Sequence, residues 1–449
     1  MLSPTMTLPR GWSMLITGLG VAACLFGLER VPINEVKPGP VHITYWEKWS
    51  GFEFAGIKQI VDDFNASHPN IQVDLLQTSE IENKAMFAIS AGVPPDVAGL
   101  YSPNVPHYVD ERAIMPLDDL CRASGIKQGD YIPAYWQLMT YNGTIWALPT
   151  TPASTALHYN RAMFKAAGFD PDKPPQTIEE MDAMGEKMSV EKDGHIDKIG
   201  FTPSEPGWFN YAWGFYFGGR LWDGVSKITA TDPGNIAAYE WIQSYAKKYG
   251  GNALSSFKSG LGQFDSPQNG FMDSKVSVEI QGVWMHNFIR TFNKNLDASA
   301  APFPHPAARP DLANTTYVDA DVLVIPRGAR HPKEAWEFIS YVQRQDVMEK
   351  LCLLHQKNSP LTRISDHFWK VHQNPWIRLF DWLARGKNAM IPARVGIWPE
   401  YQQELGASFD NALLMKGTPT HILEDVQSRI QAKLDEYEAR LRERRAAGL

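Results

Sequence analysis

A tryptophan directly after a predicted strand is the residue whose placement most clearly suggests a chemistry. Val276, Val278 and Ile280 alternate with polar residues up to Gly282, a period of two that predicts a strand with one buried face. Trp284 follows the glycine almost at once. An indole at the end of a strand offers a flat apolar face on which a ligand can stack, although the same residue could equally fill the core.

The first predicted strand also ends in aromatic and acidic residues. Residues 41–46 alternate as a strand that ends in Trp46, and Glu47 and Trp49 follow it. A carboxylate accepts hydrogen bonds from hydroxyl groups, and an indole covers an apolar C–H face, so such residues suit a polyhydroxylated ligand. The alternative for Glu47 is a solvated loop carboxylate.

The composition is that of a globular protein with many tryptophans. At 449 residues the chain is too long for one core, so two large units are expected. Hydrophobic residues make up 44% and charged residues 21%, which excludes a mainly disordered chain. Some of the 15 tryptophans should line a surface or cleft, because an indole is costly to hide completely. The formal net charge of -7 gives no electrostatic signature of nucleic-acid binding.

The spacing of the three cysteines matches no zinc or redox motif. Cys121 and Cys352 could form a disulfide if the fold brings them together, but two buried thiols are the expectation. The third, Cys24, belongs to an N-terminal segment with a different role.

That segment has the features of a secretion leader. Arg10 precedes an apolar run over residues 14–23, which is too short to span a bilayer and ends in small residues before Cys24. Residues 21–24 (VAAC) resemble the lipobox of bacterial lipoproteins, whose cysteine is lipidated. An ordinary cleaved signal and an uncleaved anchor through Leu28 are the alternatives. All three place the rest of the chain outside the cytoplasm, in the periplasm or at the outer face of the cytoplasmic membrane.

Strands and helices alternate from residue 41 onward. Residues 57–64 carry apolar side chains at helical spacing, and residues 71–75 alternate as the next strand. A strand, a helix and a strand within about 35 residues form a βαβ unit with parallel pairing. The predicted helix 81–91 and strand 96–100 repeat this order. An open α/β sheet with helices on its faces is therefore expected.

The pattern changes near residue 151. Residues 157–160 are predicted to form a crossing strand, and Thr177 with Glu180 forms a capping box for a helix through Met188. Asp232 and Pro233 open a further helix. Residues 318–325 are predicted as a strand, followed by one helix with apolar residues from 336 to 347, and an amphipathic helix closes the chain from residue 418.

Several short motifs follow one another along the chain: 45–51 (YWEKWSG), 95–97 (PDV), 146–149 (WALP), 218–219 (GG), 271–275 (FMDSK), 282–284 (GVW) and 394–398 (RVGIW). In this order they resemble the family of extracellular solute-binding proteins that serve ABC importers of sugars. Within that family the chain is most similar to the maltose/maltodextrin-binding and glycerol-3-phosphate-binding proteins. The resemblance covers essentially residue 41 to the C-terminus.

The resemblance implies an α/β fold with two lobes, periplasmic-binding-protein-like (type II), with a ligand bound between them. The chain would cross more than once through hinge strands, so that each lobe is discontinuous. Residues 41–150 with 318–361 would form lobe 1, and residues 151–317 with 362–449 lobe 2, after a leader and linker over residues 1–40. Ligands of open α/β sheets lie outside the carboxyl ends of strands, so the site residues should follow strands directly.

The resemblance also implies which residues face the ligand, and these lie at strand ends or in loops: Trp46, Glu47, Trp49, Asp96, Ser154, Glu205, Trp208, Trp284, Asp321, Arg394 and Trp398. Trp284 matches the stacking residue of the family, and Glu205 with Trp208 matches an acid-then-aromatic pair. Ser154 departs from the pattern, because maltodextrin binders carry an acidic contact there. A turn cap is the alternative for Asp96, and a salt bridge on the lobe surface is the alternative for Arg394.

The function implied is the capture of a carbohydrate, either an oligosaccharide or a polyol, and its delivery by a monomer to the permease subunits of an ABC transporter. No catalytic residue, cofactor, metal or nucleic-acid partner is expected, since no GxSxG, HExxH, Walker A or dinucleotide motif occurs. A secreted carbohydrate-active enzyme that uses cleft carboxylates and a sugar-sensing ectodomain are the alternatives. A phosphodiester ligand stays open, although it would need converging cations, of which Arg394 stands out.

Overall fold

A computed structural model of the chain describes residues 39–447. The expected leader, with its apolar run and Cys24, lies outside the described residues. Among residues 39–447, no helix is both long enough and apolar enough to cross a bilayer.

The strands, in chain order, are β1 (Val41–Glu47), β2 (Ile71–Gln77), β3 (Val97–Tyr101), β4 (Thr140–Tyr141), β5 (Thr144–Ile145), β6 (Leu148–Asn160), β7 (Val190–Lys192), β8 (His195–Lys198), β9 (Val278–Gly282), β10 (Ala298–Ala301), β11 (Thr316–Val324) and β12 (Ala389–Met390).

The α-helices are α1 (Gly51–Ser67), α2 (Ile81–Ser90), α3 (Val105–Asp110), α4 (Asp118–Ala123), α5 (Pro133–Met139), α6 (Arg161–Ala166), α7 (Ile178–Met188), α8 (Trp213–Tyr216), α9 (Pro233–Tyr249), α10 (Gly251–Ser259), α11 (Met285–Phe292), α12 (Pro332–Val342), α13 (Gln345–His355), α14 (Asp366–Val371), α15 (Ile377–Ala384), α16 (Trp398–Leu413) and α17 (Pro419–Ala446).

The first strands form the predicted βαβ unit. Strand β1 pairs in parallel with β2, in a register that aligns Val41 with Ile71, and in parallel with β3, where Tyr45 aligns with Val97. Helix α1 connects β1 to β2 and buries the apolar residues at the helical spacing seen in the sequence, such as Phe64. Both the parallel pairing and the helix are therefore confirmed.

One sheet continues through the molecule in the order β10-β6-β11-β3-β1-β2. Strand β6 is 13 residues long. Its first part pairs with β11, and its last part pairs with β9 and β10. The sequence predicted only residues 157–160 of this strand. Residues 148–156 lack alternation because nearly every side chain of β6 is buried, so neither face is marked by polar residues.

The buried side chains form separate cores that β6 connects. One core contains Ile43 and Phe64 together with Leu148 of β6. Another contains Leu157 of β6 together with Trp213. Because β6 contributes to both cores, it has the course expected of a hinge strand. A second strand, β11, likewise contributes side chains to both of these cores.

The predicted bounds of the lobes stay a prediction. They place residues 362–449 in lobe 2, whereas Phe368 of α14 and Ile377 and Phe380 of α15 pack in the same core as Ile43. Residues 395–437 pack in the other core.

Local signals in the sequence match the structure well, with one exception. The capping box of α7 is confirmed, because Thr177 Oγ1 accepts from the Glu180 N–H at 3.2 Å and Glu180 Oε2 accepts from the Thr177 N–H at 3.3 Å. The single helix predicted after β11 is wrong, since Arg344, extended at φ -62° and ψ 137°, separates α12 from α13. The apolar spacing continues across this break and conceals it. Cys121 and Cys352 are buried free thiols, as expected.

Candidate functional site

A buried lysine stands at the carboxyl end of β1. Lys48 Nζ lies 3.0 Å from Asp321 Oδ1 and 3.4 Å from Glu47 Oε1. It also donates to the carbonyl oxygens of Gly99 and Leu100 at 3.5 and 3.4 Å. The side chain of Lys48 is only 4% exposed, so its charge is balanced within the protein by the two carboxylates.

Glu47 is held by its neighbours on β1 and β3. Its carboxylate accepts from Tyr45 Oη at 2.5 Å and from the Lys48 N–H at 2.8 Å. Gly99 of the adjacent strand lies directly against this carboxylate, and a Cβ at position 99 would overlap it. Glycine at position 99 therefore leaves the space that the buried acid occupies.

A second buried lysine, Lys357, reaches the same place from the segment after α13. Its Nζ lies 2.7 Å from Glu53 Oε1 and 3.7 Å from Asp321 Oδ2. It also donates to Thr151 Oγ1 at 3.5 Å. Since Asp321 contacts both Lys48 and Lys357, the two ammonium groups share one carboxylate.

Asp321 is the centre of this charged network. It accepts from Trp49 Nε1 at 3.0 Å and from Thr151 Oγ1 at 3.2 Å. Burial alone would raise the pKa of Asp321, but the ammonium groups of Lys48 and Lys357 outweigh burial and hold the pKa below its usual value. The group is therefore ionised at neutral pH. For Glu47 and Glu53 burial prevails over the same lysines and raises the pKa.

Indole rings surround the network. Lys357 Nζ lies 5.2 Å from the ring centroid of Trp49 and 5.5 Å from that of Trp284. Trp208 is the next ring, with its centroid 5.5 Å from that of Trp284 and the two planes 53° apart. Trp49 also meets Tyr101 edge-on at 5.6 Å. All of these rings are partly exposed, so they offer apolar faces beside buried charges.

Acidic groups continue behind Trp208. Glu205 is 3% exposed, and burial raises its pKa to about 7, although Lys258 acts in the opposite direction. Burial, with a contribution from Glu205, also raises the pKa of Glu279 on β9 well above its usual value. Trp208 Nε1 donates to Gln281 Oε1 at 2.9 Å. This side of the site therefore combines indoles with buried carboxyl groups.

The structure brings together six of the predicted site residues: Glu47, Trp49, Glu205, Trp208, Trp284 and Asp321. Trp46 is half-buried and packs in a core beside β3. Ser154 is fully buried in β6, where its hydroxyl donates to Asn358 Oδ1 at 3.3 Å.

Asp96 is not brought to this group. It precedes β3, at the opposite end of that strand from Tyr101. Its Oδ2 accepts from the Thr44 N–H at 2.9 Å, and its Oδ1 accepts from the His331 N–H at 2.9 Å. The structure therefore corrects the prediction: Asp96 ties β1 to the start of α12, close to the capping role that was the alternative.

Trp398 is corrected for a different reason. It is 0% exposed and packs in the core that contains Leu157, edge-on to Tyr211 at 5.7 Å and to Tyr401 at 5.9 Å. A ring enclosed on all sides cannot stack on a ligand without a rearrangement of that core.

Arg394 is partly buried, and both terminal nitrogens of its guanidinium donate to the backbone. Its guanidinium donates to the carbonyl oxygens of Ser102 at 2.9 Å and Thr140 at 2.8 Å. Burial lowers the pKa of Arg394 to about 10, against the opposing effect of Tyr141 and Asp319. The salt bridge that was the alternative is not what holds Arg394, which instead joins the loop after β3 to the segment before α16.

Sequence reasoning missed Lys48, Glu53, Tyr101 and Lys357. Lys48 could have been found, since it stands between Glu47 and Trp49 in the loop already singled out. Lys357 has no local signal. It lies about 300 residues from Glu53, its ion-pair partner, and only the fold brings the two together.

A buried histidine close to the site allows a test of stability against pH. His158 of β6 is 0% exposed and packs against Phe380 and Trp376, with ring centroids 5.8 and 5.5 Å away. Burial lowers its pKa from 6.5 to about 3. Between these values the unfolded chain binds a proton that the folded chain does not, so stability is lost as the pH falls below 6.5.

We expect His158→Leu to remove this contribution. Between pH 7 and pH 5 the free energy of unfolding of the wild type should fall by about 2 kcal/mol more than that of the variant. This difference builds up at about 1.4 kcal/mol per pH unit below about pH 6.5. Urea denaturation at both pH values measures the difference. His421→Leu is the control, because the side chain of His421 is 67% exposed, and its curves should stay parallel to the wild type. Parallel curves for His158→Leu would contradict the prediction.

Comparison with known proteins agrees with the fold. A family model described as bacterial extracellular solute-binding protein matches residues 59–362. The maltotriose-binding protein of Pyrococcus abyssi (strain GE5 / Orsay) is 19% identical over 324 residues, which are 71% of this chain and 66% of that protein. The sn-glycerol-3-phosphate-binding periplasmic protein of Escherichia coli (strain K12) is 22% identical over 173 residues, which are 37% of this chain and 39% of that protein. The chain thus spans less than two thirds of either relative.

Among solved structures, that of CpMnBP1 with mannobiose bound has a TM-score of 0.78 at 25% identity, and the match covers 86% of this chain and 99% of that one. The two-lobed α/β fold of type II predicted from the sequence is therefore confirmed.

Proposed function

Because the chain belongs to the family of bacterial extracellular solute-binding proteins, we propose that it captures a carbohydrate, an oligosaccharide or a polyol, and delivers it to the permease of an ABC importer. The relatives support the carbohydrate class, since one is named for maltotriose and a similar structure holds mannobiose. The family and these neighbours are binding proteins, so we propose capture without turnover.

One observation carries the proposal: partly exposed indole faces lie next to buried carboxyl groups. Trp208 and Trp284 can cover the apolar C–H faces of a sugar ring, and Glu205, three residues before Trp208, can accept from its hydroxyl groups. A sugar needs both kinds of contact at once, because its hydroxyls lie around the edge of an apolar ring.

The charges argue against an anionic ligand. A phosphate needs cations that are available to it. The ammonium groups of Lys48 and Lys357 are already paired with buried carboxylates, and the guanidinium of Arg394 donates to backbone carbonyls. At Glu205, burial raises the pKa of the carboxyl group more than the ammonium group of Lys258 lowers it. We therefore favour a carbohydrate over a glycerophosphodiester.

In the proposed mechanism the ligand bridges the two lobes, and the closed state is favoured by the contacts made only there. A ligand shifts this equilibrium only by its difference in affinity for the two states. Closure should reduce the radius of gyration, which small-angle X-ray scattering with and without ligand measures. An unchanged radius at saturating ligand would count against closure. The closed monomer would then dock on the permease, with ATP hydrolysed by a separate subunit.

We propose an extracytoplasmic location with a lipid anchor at Cys24, based on the VAAC motif. Cys24→Ser should then move the protein from the membrane fraction of its host to the soluble fraction. Retention of the variant in the membrane fraction would argue against lipidation.

A ligand screen tests the proposed function. Mannobiose, maltotriose and sn-glycerol 3-phosphate are compared by thermal shift and calorimetry, since a ligand that binds only the native state raises the melting temperature. We expect a rise with at least one oligosaccharide and none with the phosphate ester. Mass spectrometry after prolonged incubation should recover the sugar unchanged. A rise with the phosphate ester alone would overturn the carbohydrate class, and cleaved sugar would favour an enzyme.

A further inference from the structure

Behind Trp208 lies a chain of buried polar side chains. Trp208 Nε1 donates to Gln281 Oε1 at 2.9 Å, and Gln281 Nε2 donates to Glu279 Oε1 at 3.0 Å. Gln281 and Glu279 are 0% exposed, whereas Trp208 is partly exposed. Trp208 is therefore the member of this chain that solvent, and a ligand, can reach.

The donors around Gln281 favour one orientation of its amide. Its Oε1 also accepts from the Gly282 N–H at 3.0 Å, so two N–H groups point at this oxygen. If the amide were turned, its NH2 would face those two donors. The N–H groups of Trp208 and Gly282 thus hold the amide in the orientation that accepts from the indole, and Glu279 accepts from its NH2.

Glu279 is oriented in the same manner. Asn269 Nδ2 donates to Glu279 Oε2 at 3.5 Å, and Asn269 Oδ1 accepts from the N–H groups of Phe271 and Met272 at 2.9 and 3.1 Å. Asn269 is also 0% exposed. In each amide of the chain the oxygen therefore accepts from N–H donors, and the NH2 donates to the carboxyl group of Glu279.

The two ends of this chain differ in how firmly the backbone holds them. Gln281 and Glu279 belong to β9, which pairs with Ala156 and His158 of β6. Trp208 stands in an irregular turn between β8 and α8. A ladder of hydrogen bonds fixes the strand, while the indole in the turn depends on its side-chain contacts for its orientation.

We propose that Gln281 is a positioning residue, which holds the Trp208 indole beside Trp284 in the orientation on which the carbohydrate stacks. An indole fixed in advance lowers the entropy lost on binding, because no rotamer has to be selected by the ligand. Only the naming of carbohydrate as the ligand rests on the proposed function. The hydrogen-bonded chain itself can be tested without a ligand.

Gln281→Leu removes all three hydrogen bonds of the side chain, to Trp208, Gly282 and Glu279, at nearly constant volume. Exchange of the Trp208 indole proton with solvent, observed by NMR and assigned by its absence from the Trp208→Phe protein, should become at least about tenfold faster. Affinity for the sugar with the largest thermal shift on the wild type should fall roughly three- to tenfold. Gln243→Leu is the control: it removes a buried glutamine that donates to the Gly417 carbonyl at 2.7 Å and should change neither quantity. If the leucine variant does not fold, Gln281→Asn takes its place, because the shorter side chain cannot reach both Trp208 and Glu279.

A double-mutant comparison separates positioning from general stability. In the Trp208→Phe protein the indole donor is absent, so Gln281→Leu should cause no further loss of affinity. Equal losses of affinity from Gln281→Leu in the wild-type and Trp208→Phe proteins would overturn the inference. A wild-type rate of indole exchange in the folded Gln281→Leu protein would also overturn it. If the wild type binds no sugar, the proposed function fails, and the exchange rate alone still decides whether Gln281 holds the indole.

Discussion

Replacing Asp321 by alanine should lower the free energy of unfolding at pH 7 by about 3–5 kcal/mol, because breaking a buried ion pair leaves charge uncompensated. Asp321 serves both Lys48 and Lys357, at 3.0 and 3.7 Å, and also accepts from Trp49 Nε1. Its lowered pKa means that the carboxylate stabilises the fold above the pKa of the unfolded chain, a contribution lost as the pH falls through the folded value. The loss should therefore be largest near neutral pH.

Urea denaturation at pH 7 measures this effect, and Asp62→Ala is the matched control. Asp62 pairs with Lys58 at i and i+4, and both side chains are 57% exposed. Exposed pairs of this kind contribute about 0.3–0.5 kcal/mol. Equal losses for Asp321→Ala and Asp62→Ala would show that the buried network adds little to stability.

The second prediction compares two tryptophans in the same chain. Trp284→Ala should weaken carbohydrate binding at least about tenfold and shift the unliganded melting temperature by only a few degrees. Trp398→Ala should do the reverse, with a loss of about 3–5 kcal/mol in stability from the cavity left in the core. The reason is their burial, since Trp284 is partly exposed beside Lys357 whereas Trp398 is 0% exposed.

Calorimetric titration with the best sugar and thermal unfolding without ligand give the two quantities for each variant. Wild-type affinity in folded Trp284→Ala would remove Trp284 from the site. A large fall in stability for Trp284→Ala would return it to the core, the alternative that the sequence left open. A stable Trp398→Ala protein with weakened binding would contradict the correction made for Trp398.

Much of the first lobe could be predicted from local patterns. The alternation of residues 41–46 and 71–75 and the spacing of residues 57–64 predict β1, β2 and α1, and the structure has all three. The capping box of Thr177 and Glu180 predicts the start of α7. Such signals succeed because the periods of helices and strands are properties of the backbone, and the apolar face repeats with them.

The candidate site could be predicted only in part. Glu47 ends β1, Trp49 follows that strand by two residues and Trp284 follows β9 by two residues, so position along the chain was informative. Asp96 and Trp398 were predicted for the same site, yet Asp96 precedes β3 and bridges backbone groups, and Trp398 begins α16 and fills a core. The type of a residue and its place along the chain do not determine the direction in which its side chain points.

By itself the sequence determined the first strands and helices, the α/β class and the places where indoles and acids lie at strand ends. Only the tertiary structure decided which of these side chains share a site, and it added Lys357 to Glu53 and Asp321. The physical reason is that periodicity is local, whereas the pairing of buried charges depends on contacts between segments hundreds of residues apart. Those contacts exist only once the cores have packed.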